Sequence, residues 1–103
     1  MNKLQEKLQS DLIRSINIVK ESNIEFVEFG IFGSIARNEY DCNSDIDIVI
    51  IVNALPDKRD IADLRCRLEE SNCDLAVLLK DSFDNPTSMF HKKVKEDYRR
   101  IVL

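Results

Sequence analysis

The sequence predicts one small α/β domain, and two features of its pattern lead to that prediction. Segments with apolar residues at helical spacing alternate with segments rich in Ile, Val and Leu, which is typical of a small mixed β-sheet flanked by helices. Charged and polar residues gather at the ends of the strand-like segments. The 103 residues suffice for one modest core, so we expect a single domain over 1–103 with the order α-β-α-β-α-β-α.

The individual elements follow from periodicity and from turn residues. The apolar stripe of the first helix consists of Leu4, Leu8, Leu12, Ile16 and Val19. Helices are predicted over 3–21, over a short segment after Ser34, over 58–71 and from Pro86 onward. Strands are predicted over 25–32, 45–52 and 73–80. Residues 81–85 are predicted to form a loop, and 101–103 are compatible with a short edge strand.

The second strand is expected at the centre of the sheet. Its side chains alternate between two faces. One face carries Ile46, Ile48, Ile50 and Val52, and the other carries Asp45, Asp47, Val49 and Ile51. Because both faces are apolar beyond the first residues, the strand should be covered on both sides.

Composition narrows the class of protein. A net charge of −4 argues against direct binding of nucleic acid and implies that a bare triphosphate would be repelled, so nucleotide binding should require a metal. The basic residues near the C-terminus are read first as a solvated face and second as a surface for a partner or nucleic acid. No signal-peptide core and no membrane-length apolar run is visible, and Cys42, Cys66 and Cys73 fit reduced thiols, which together predict a cytoplasmic protein.

Asp45 and Asp47 stand at the start of the second strand, where Asp is disfavoured. Residues i and i+2 of a strand point to the same face with Cα atoms roughly 6.5 Å apart. Two carboxylates at that separation repel each other unless a cation lies between them. The pattern therefore predicts ligands for a hard divalent cation such as Mg²⁺, which keeps open positions for phosphates.

Gly33-Ser34 ends the first strand and begins a short helix. Gly33 permits close approach of the backbone to a phosphate, and Ser34 can cap the helix or bond a phosphate oxygen. Arg37 follows about one turn later, within reach of the same anion. Taken alone, the pattern also fits a plain strand-to-helix turn with a solvated arginine; the neighbouring Asp45 and Asp47 favour the phosphate site.

These residues carry a family resemblance. Gly33-Ser34, ten further residues and then Asp45-Ile46-Asp47 resembles the signature of the nucleotidyltransferase superfamily related to DNA polymerase β. With Ala36-Arg37 and Ser44 included, the string resembles its small stand-alone branch, the minimal nucleotidyltransferases or MNT-domain proteins. The resemblance implies the nucleotidyltransferase fold.

The resemblance also implies a reaction and its residues. Asp45 and Asp47 would bind one or two Mg²⁺ ions, while Gly33, Ser34 and Arg37 would hold the phosphates of ATP. Asp74, at the start of the third strand, matches the family's third carboxylate by order and position, and would bind metal and help activate an acceptor hydroxyl. The reaction expected is transfer of AMP from ATP, with release of pyrophosphate.

Partner and acceptor are likewise implied by the resemblance. Minimal nucleotidyltransferases commonly pair with a HEPN-domain (higher eukaryote and prokaryote nucleotide-binding) protein, as antitoxins that adenylylate a tyrosine of the toxin. Two alternatives stay open: a binding module that neutralises its partner by contact without catalysis, and a transferase acting on a small molecule such as an aminoglycoside. Homo-oligomers and hetero-oligomers are both compatible with the sequence.

Overall fold

The computed structural model describes residues 3–39, 41 and 44–102. Cys42, Leu103 and the side chain of Leu4, which carry sequence predictions, lie outside the described part of the chain. The helices are α1 (Lys3–Lys20), α2 (Gly33–Ala36), α3 (Lys58–Glu69), α4 (Lys80–Asp84) and α5 (Met89–Asp97). The strands are β1 (Glu28–Phe32), β2 (Ile46–Val52), β3 (Cys73–Leu79) and β4 (Arg99–Arg100).

The four strands form one mixed sheet in the order β3-β2-β1-β4. β2 pairs antiparallel with β1 and parallel with β3, while β4 pairs antiparallel with the outer side of β1. The predicted mixed sheet with the second strand inside it is therefore confirmed. The parallel β2–β3 pair brings the starts of both strands to one edge of the sheet.

Helices cover both faces of the sheet. On one face, Ile48 and Ile50 of β2 pack with Val19 of α1 and with Leu64 and Leu68 of α3. The opposite face buries a second apolar cluster: Val49, Ile51, Leu78, Phe83 and Val94. The alternation predicted for β2 is thus the observed one. Asp47 lies at the start of the strand, on the same face as Val49 and Ile51, which α4 and α5 cover.

Local sequence explains where the longer helices begin. Asp57 caps α3 by accepting a hydrogen bond from the backbone N–H of Arg59 at 2.7 Å. Ser88 caps α5 in the same way, accepting from the N–H of His91 at 3.0 Å. None of the helices in the described part is long and apolar enough to cross a membrane.

Three predictions near the C-terminus were wrong in detail. Residues 81–85, predicted as a loop, lie mostly in the short helix α4, because Phe83 anchors that turn in the core. The last helix begins at Met89 and not at Pro86, because Ser88 is its cap. The edge strand is Arg99–Arg100 rather than 101–103, although the N–H of Ile101 still donates to the carbonyl of Phe29 at 2.9 Å.

Gly30 allows β4 to lie against β1. A Cβ at Gly30 would lie 2.7 Å from Cε2 of Tyr98 and would overlap the carbonyl oxygen of Arg99. Gly30→Ala should therefore lower the free energy of unfolding by about 1–3 kcal/mol, because β4 and the Tyr98 ring must move. Urea denaturation measures this, with Val27→Ala at an exposed neighbouring position as the control. Equal stabilities of the two variants would contradict the packing described for Gly30.

Candidate active site

The site is built around a close approach between Gly33 and Asp47. Phe32, the residue before Gly33, is the register partner of Asp47 across the β1–β2 pair. A Cβ added to Gly33 would collide with Oδ2 of Asp47, and the φ angle of Gly33 is +77°. Only glycine satisfies both conditions without strain. The fold thus brings the predicted Gly-Ser turn together with Asp47, one member of the predicted carboxylate pair.

The short helix α2 is held by its C-terminal end. Asn38 adopts a left-handed conformation with φ of +61°, and its N–H donates to the carbonyl of Ile35. The N–H of Glu39 reaches back to the carbonyl of Ser34 at 2.8 Å. These two bonds form a Schellman motif, which ends the helix and turns the chain away. Asn accepts this conformation better than most residues other than glycine.

Ser34 does not cap α2. The residue at the N-cap position is Phe32, and among the described residues no side chain caps the helix. Among the described residues the Ser34 hydroxyl, which is half-buried, makes no hydrogen bond and remains available to a ligand. Because α2 has only four residues, its dipole is small, so an anion would depend on individual N–H groups and on nearby positive charge.

Asp74 lies next to Asp47 in the sheet. The two residues are register partners in the parallel β2–β3 pair, and neighbouring strands lie roughly 4.8 Å apart. Asp45 precedes β2, is exposed, and shares with Asp74 the lining of an open cleft of about 270 Å³. All three carboxylates predicted from the sequence therefore occur at one edge of the sheet.

Burial and two neighbouring acids change the pKa of Asp47. Partial burial, followed by the negative charges of Asp74 and Asp45, raises the pKa of Asp47 from 3.8 to about 6. Arg37 acts in the opposite direction and lowers this pKa, so its positive charge is felt at the site. A cation bound between the carboxylates would relieve the repulsion.

The carboxylates fit a magnesium ion that takes some of its ligands from the protein and the others from water and a substrate. Among the described residues, no three acidic, histidine or cysteine side chains converge closely enough to form a complete metal site. Mg²⁺ is usually bound by one or two carboxylates together with water and phosphate oxygens, so an incomplete protein shell suits it. The carboxylate oxygens of Asp45, Asp47 and Asp74 are donors of the chemical kind that Mg²⁺ takes.

Arg37 makes contacts that the sequence did not predict. Its Nη1 forms an ion pair with Oδ2 of Asp97 in α5, and its Nε donates to Glu39 Oε2 at 3.1 Å. The Asp97 side chain is only 3% exposed. The Arg37–Asp97 pair therefore connects α2 to α5. The two residues are 60 positions apart, so no local sequence pattern predicts their contact.

Three further residues line the cleft beside Asp45 and Asp74: Glu69, Asn72 and Cys73. Asn72 has φ of +57° at the turn into β3, which explains why this polar residue follows α3. Burial raises the pKa of the Cys73 thiol to about 11, so the thiol stays protonated at neutral pH and is a poor nucleophile. The cleft is thus acidic and offers no cysteine chemistry.

A strand-turn-helix with Gly33-Ser34 thus lies beside two strands that carry Asp47 and Asp74. The family model described as "Polymerase beta, Nucleotidyltransferase" matches residues 13–102. The chain therefore belongs to this nucleotidyltransferase family. The resemblance read from the sequence is confirmed, while no curated protein matches the chain.

Solved structures share the fold. A toxin–antitoxin complex with AMP-PNP is similar at TM-score 0.63 and 17% identity, over 85% of this chain and 69% of that chain. A Sulfolobus solfataricus protein assigned as a nucleotidyltransferase has TM-score 0.56 and 29% identity, over 82% of this chain and 83% of that one. A structure described as a minimal nucleotidyltransferase has TM-score 0.56 and 18% identity, over 99% of this chain and 97% of that one.

The pKa of Asp47 predicts how stability depends on pH. Because the folded-state pKa of about 6 exceeds the ordinary 3.8, the folded protein binds the proton more tightly. The stability contributed by the protonated carboxyl is fully present below about pH 3.8 and is lost as the pH rises through about 6. In metal-free buffer, Asp47→Asn should therefore be more stable than wild type at pH 8 by about 1 kcal/mol after solvent screening, and the gain should vanish near pH 4.

Thermal unfolding at pH 4 and pH 8 with EDTA measures the difference. Asp63→Asn serves as the control, because Asp63 is an exposed partner of Arg67 in α3. An Asp47→Asn variant that is less stable than wild type at pH 8 would contradict the repulsion described here.

Proposed function

We propose that the protein is a metal-dependent nucleotidyltransferase that transfers AMP from ATP to a hydroxyl group of a partner protein. The observation that carries the proposal is the sheet register, in which Asp47 lies between Phe32-Gly33 on one side and Asp74 on the other. A phosphate-binding turn and a carboxylate cluster side by side supply what phosphoryl chemistry requires. We further place this activity in the cytoplasm.

Each residue has a separate role in the proposed mechanism. Backbone N–H groups at Gly33, together with the free Ser34 hydroxyl and the Arg37 charge, hold the β and γ phosphates. Asp45, Asp47 and Asp74 would hold one or two Mg²⁺ ions, which when bound neutralise charge on the phosphates and on the leaving oxygen. Asp74 also orients the acceptor hydroxyl. The hydroxyl oxygen bonds to the α phosphorus, its proton is lost to base or water, and the bond to the bridging oxygen breaks to release pyrophosphate.

A partner protein is the proposed source of the acceptor. The cleft at Asp45 and Asp74 is open, so a side chain presented by another protein can enter it. A similar fold occurs in a toxin–antitoxin complex solved with the ATP analogue AMP-PNP. We therefore propose an antitoxin that adenylylates a tyrosine of a HEPN-type toxin.

The acidic cleft favours a second candidate. Asp45, Glu69 and Asp74 would attract a cationic acceptor, which makes a small polyamine-like molecule such as an aminoglycoside the alternative substrate. Neutralisation of a partner by contact alone has less support, since contact does not require two strands to carry adjacent carboxylates.

Label transfer tests the proposed reaction. The protein, α-labelled ATP and Mg²⁺ are incubated with a lysate of the source cells, and the Asp45→Asn/Asp47→Asn double variant is the control. We expect a labelled protein band with wild type only, which also identifies the acceptor. Label in a small molecule would favour the second candidate. ATP binding that depends on Mg²⁺ without any transfer would favour the contact-only antitoxin.

Asp74 should matter more for transfer than for nucleotide binding. Asp74→Asn keeps the size of the side chain but removes the charge that orients and activates the acceptor. We expect the transfer rate to fall on the order of 100-fold or more while the Kd for ATP changes much less. Single-turnover rates and equilibrium binding of ATP separate these effects. Transfer at the wild-type rate would mean that Asp74 is not the third carboxylate.

A further inference from the structure

Asp97 is a buried acid whose carboxylate lies next to two cationic side chains. Its Oδ2 pairs with Nη1 of Arg37, and its Oδ1 lies 3.7 Å from Nζ of Lys93. A buried carboxylate requires such partners, because removing one of them leaves an uncompensated charge. The pair fixes the Arg37 guanidinium in one orientation relative to α5.

Arg37 uses only part of its guanidinium in this contact. Nη1 is bound to Asp97 and Nε to Glu39, whereas Nη2 makes no hydrogen bond within the described residues. The arginine side chain is 33% exposed, so the remaining donors are accessible to a ligand. With Nε and Nη1 occupied, the two N–H groups of Nη2 can still donate to a phosphate.

The position of Arg37 connects Asp97 to the site. Arg37 ends the single turn that starts at Gly33, and its N–H donates to the Gly33 carbonyl at 3.1 Å. Gly33 in turn lies against the carboxylate of Asp47. The contacts therefore run from Asp97 through Arg37 and the α2 turn to the carboxylate site, without passing through the sheet.

We propose that Asp97 is a positioning residue, which holds Arg37 so that its free donors face the triphosphate bound at Gly33-Ser34. This role rests on the proposed nucleotidyltransferase function. Asp97 itself does not touch the nucleotide. Its effect should depend on the β and γ phosphates and should disappear when Arg37 is absent.

Binding of ATP and AMP to the full chain, with Mg²⁺, tests the proposal. Asp97→Asn should weaken ATP binding about tenfold or more, because a charge-assisted contact from Arg37 is lost, while AMP binding stays unchanged. Glu96→Gln is the matched control: Glu96 is the preceding residue, lies near the same Lys93 and is 73% exposed, so ATP binding should equal wild type. In an Arg37→Gln background, Asp97→Asn should cause no further loss.

The outcomes separate positioning from general structural support. Equal losses for ATP and AMP, or a full additional loss in the Arg37→Gln background, would overturn the positioning role and leave the proposed function standing. Failure of the wild type to bind ATP with Mg²⁺ would overturn both. Arg37→Lys covers the case in which Asp97→Asn does not fold: a lysine cannot bridge Asp97 and a phosphate as a fork does, so ATP affinity should again fall. Wild-type ATP affinity in Arg37→Lys would contradict the proposal.

Discussion

The contact between the Asp47 carboxylate and the backbone of Gly33 is the constraint on which the site depends. The Asp47 carboxylate can lie beside the Gly33-Ser34 turn only because β1 ends where β2 begins and because residue 33 has no side chain. The contact also limits the choice of residue at two positions at once. A larger residue at 33 would displace Asp47, and the positive φ there disfavours any other residue.

The carboxylates of the site repel one another. Asp47 is half-buried beside Asp74, and burial, followed by the charges of Asp74 and Asp45, raises its pKa. Binding of a cation together with a polyanion would offset the repulsion between the carboxylates. Arg37 contributes an opposite charge nearby, and its guanidinium is paired with Asp97 of α5. The charged carboxylates that the proposed binding requires therefore lower the stability of the folded protein when no ligand is bound.

Periodicity and spacing predicted most of the fold. The alternation of β2 follows from its residues alone, because each face packs against a different set of helices. Asp45 and Asp47 could be found in the same way, since acids at the mouth of an apolar strand contradict strand preference. Their roles, and those of Gly33 and Asp74, stay predictions.

The remaining features depend on contacts between distant parts of the chain. Nothing near Asp97 indicates that it is buried, because its partner Arg37 lies 60 residues away. The helix at Lys80–Asp84 is too short to show a period and depends on burial of Phe83. Helix bounds shifted where a capping side chain such as Ser88, and not the apolar pattern, determined the first residue.

The alternation of β2 ties the chemistry to the fidelity of folding. A slip of one residue against β1 would turn Asp47 toward the face occupied by Ile46 and Ile48, and would bring those aliphatic side chains to the opposite face. Burial of the core and assembly of the carboxylates therefore share one register. Under the proposed function, a compact chain with the wrong register would have no transferase activity. Specific activity would therefore measure the fraction of correctly paired molecules, which helix content alone does not report.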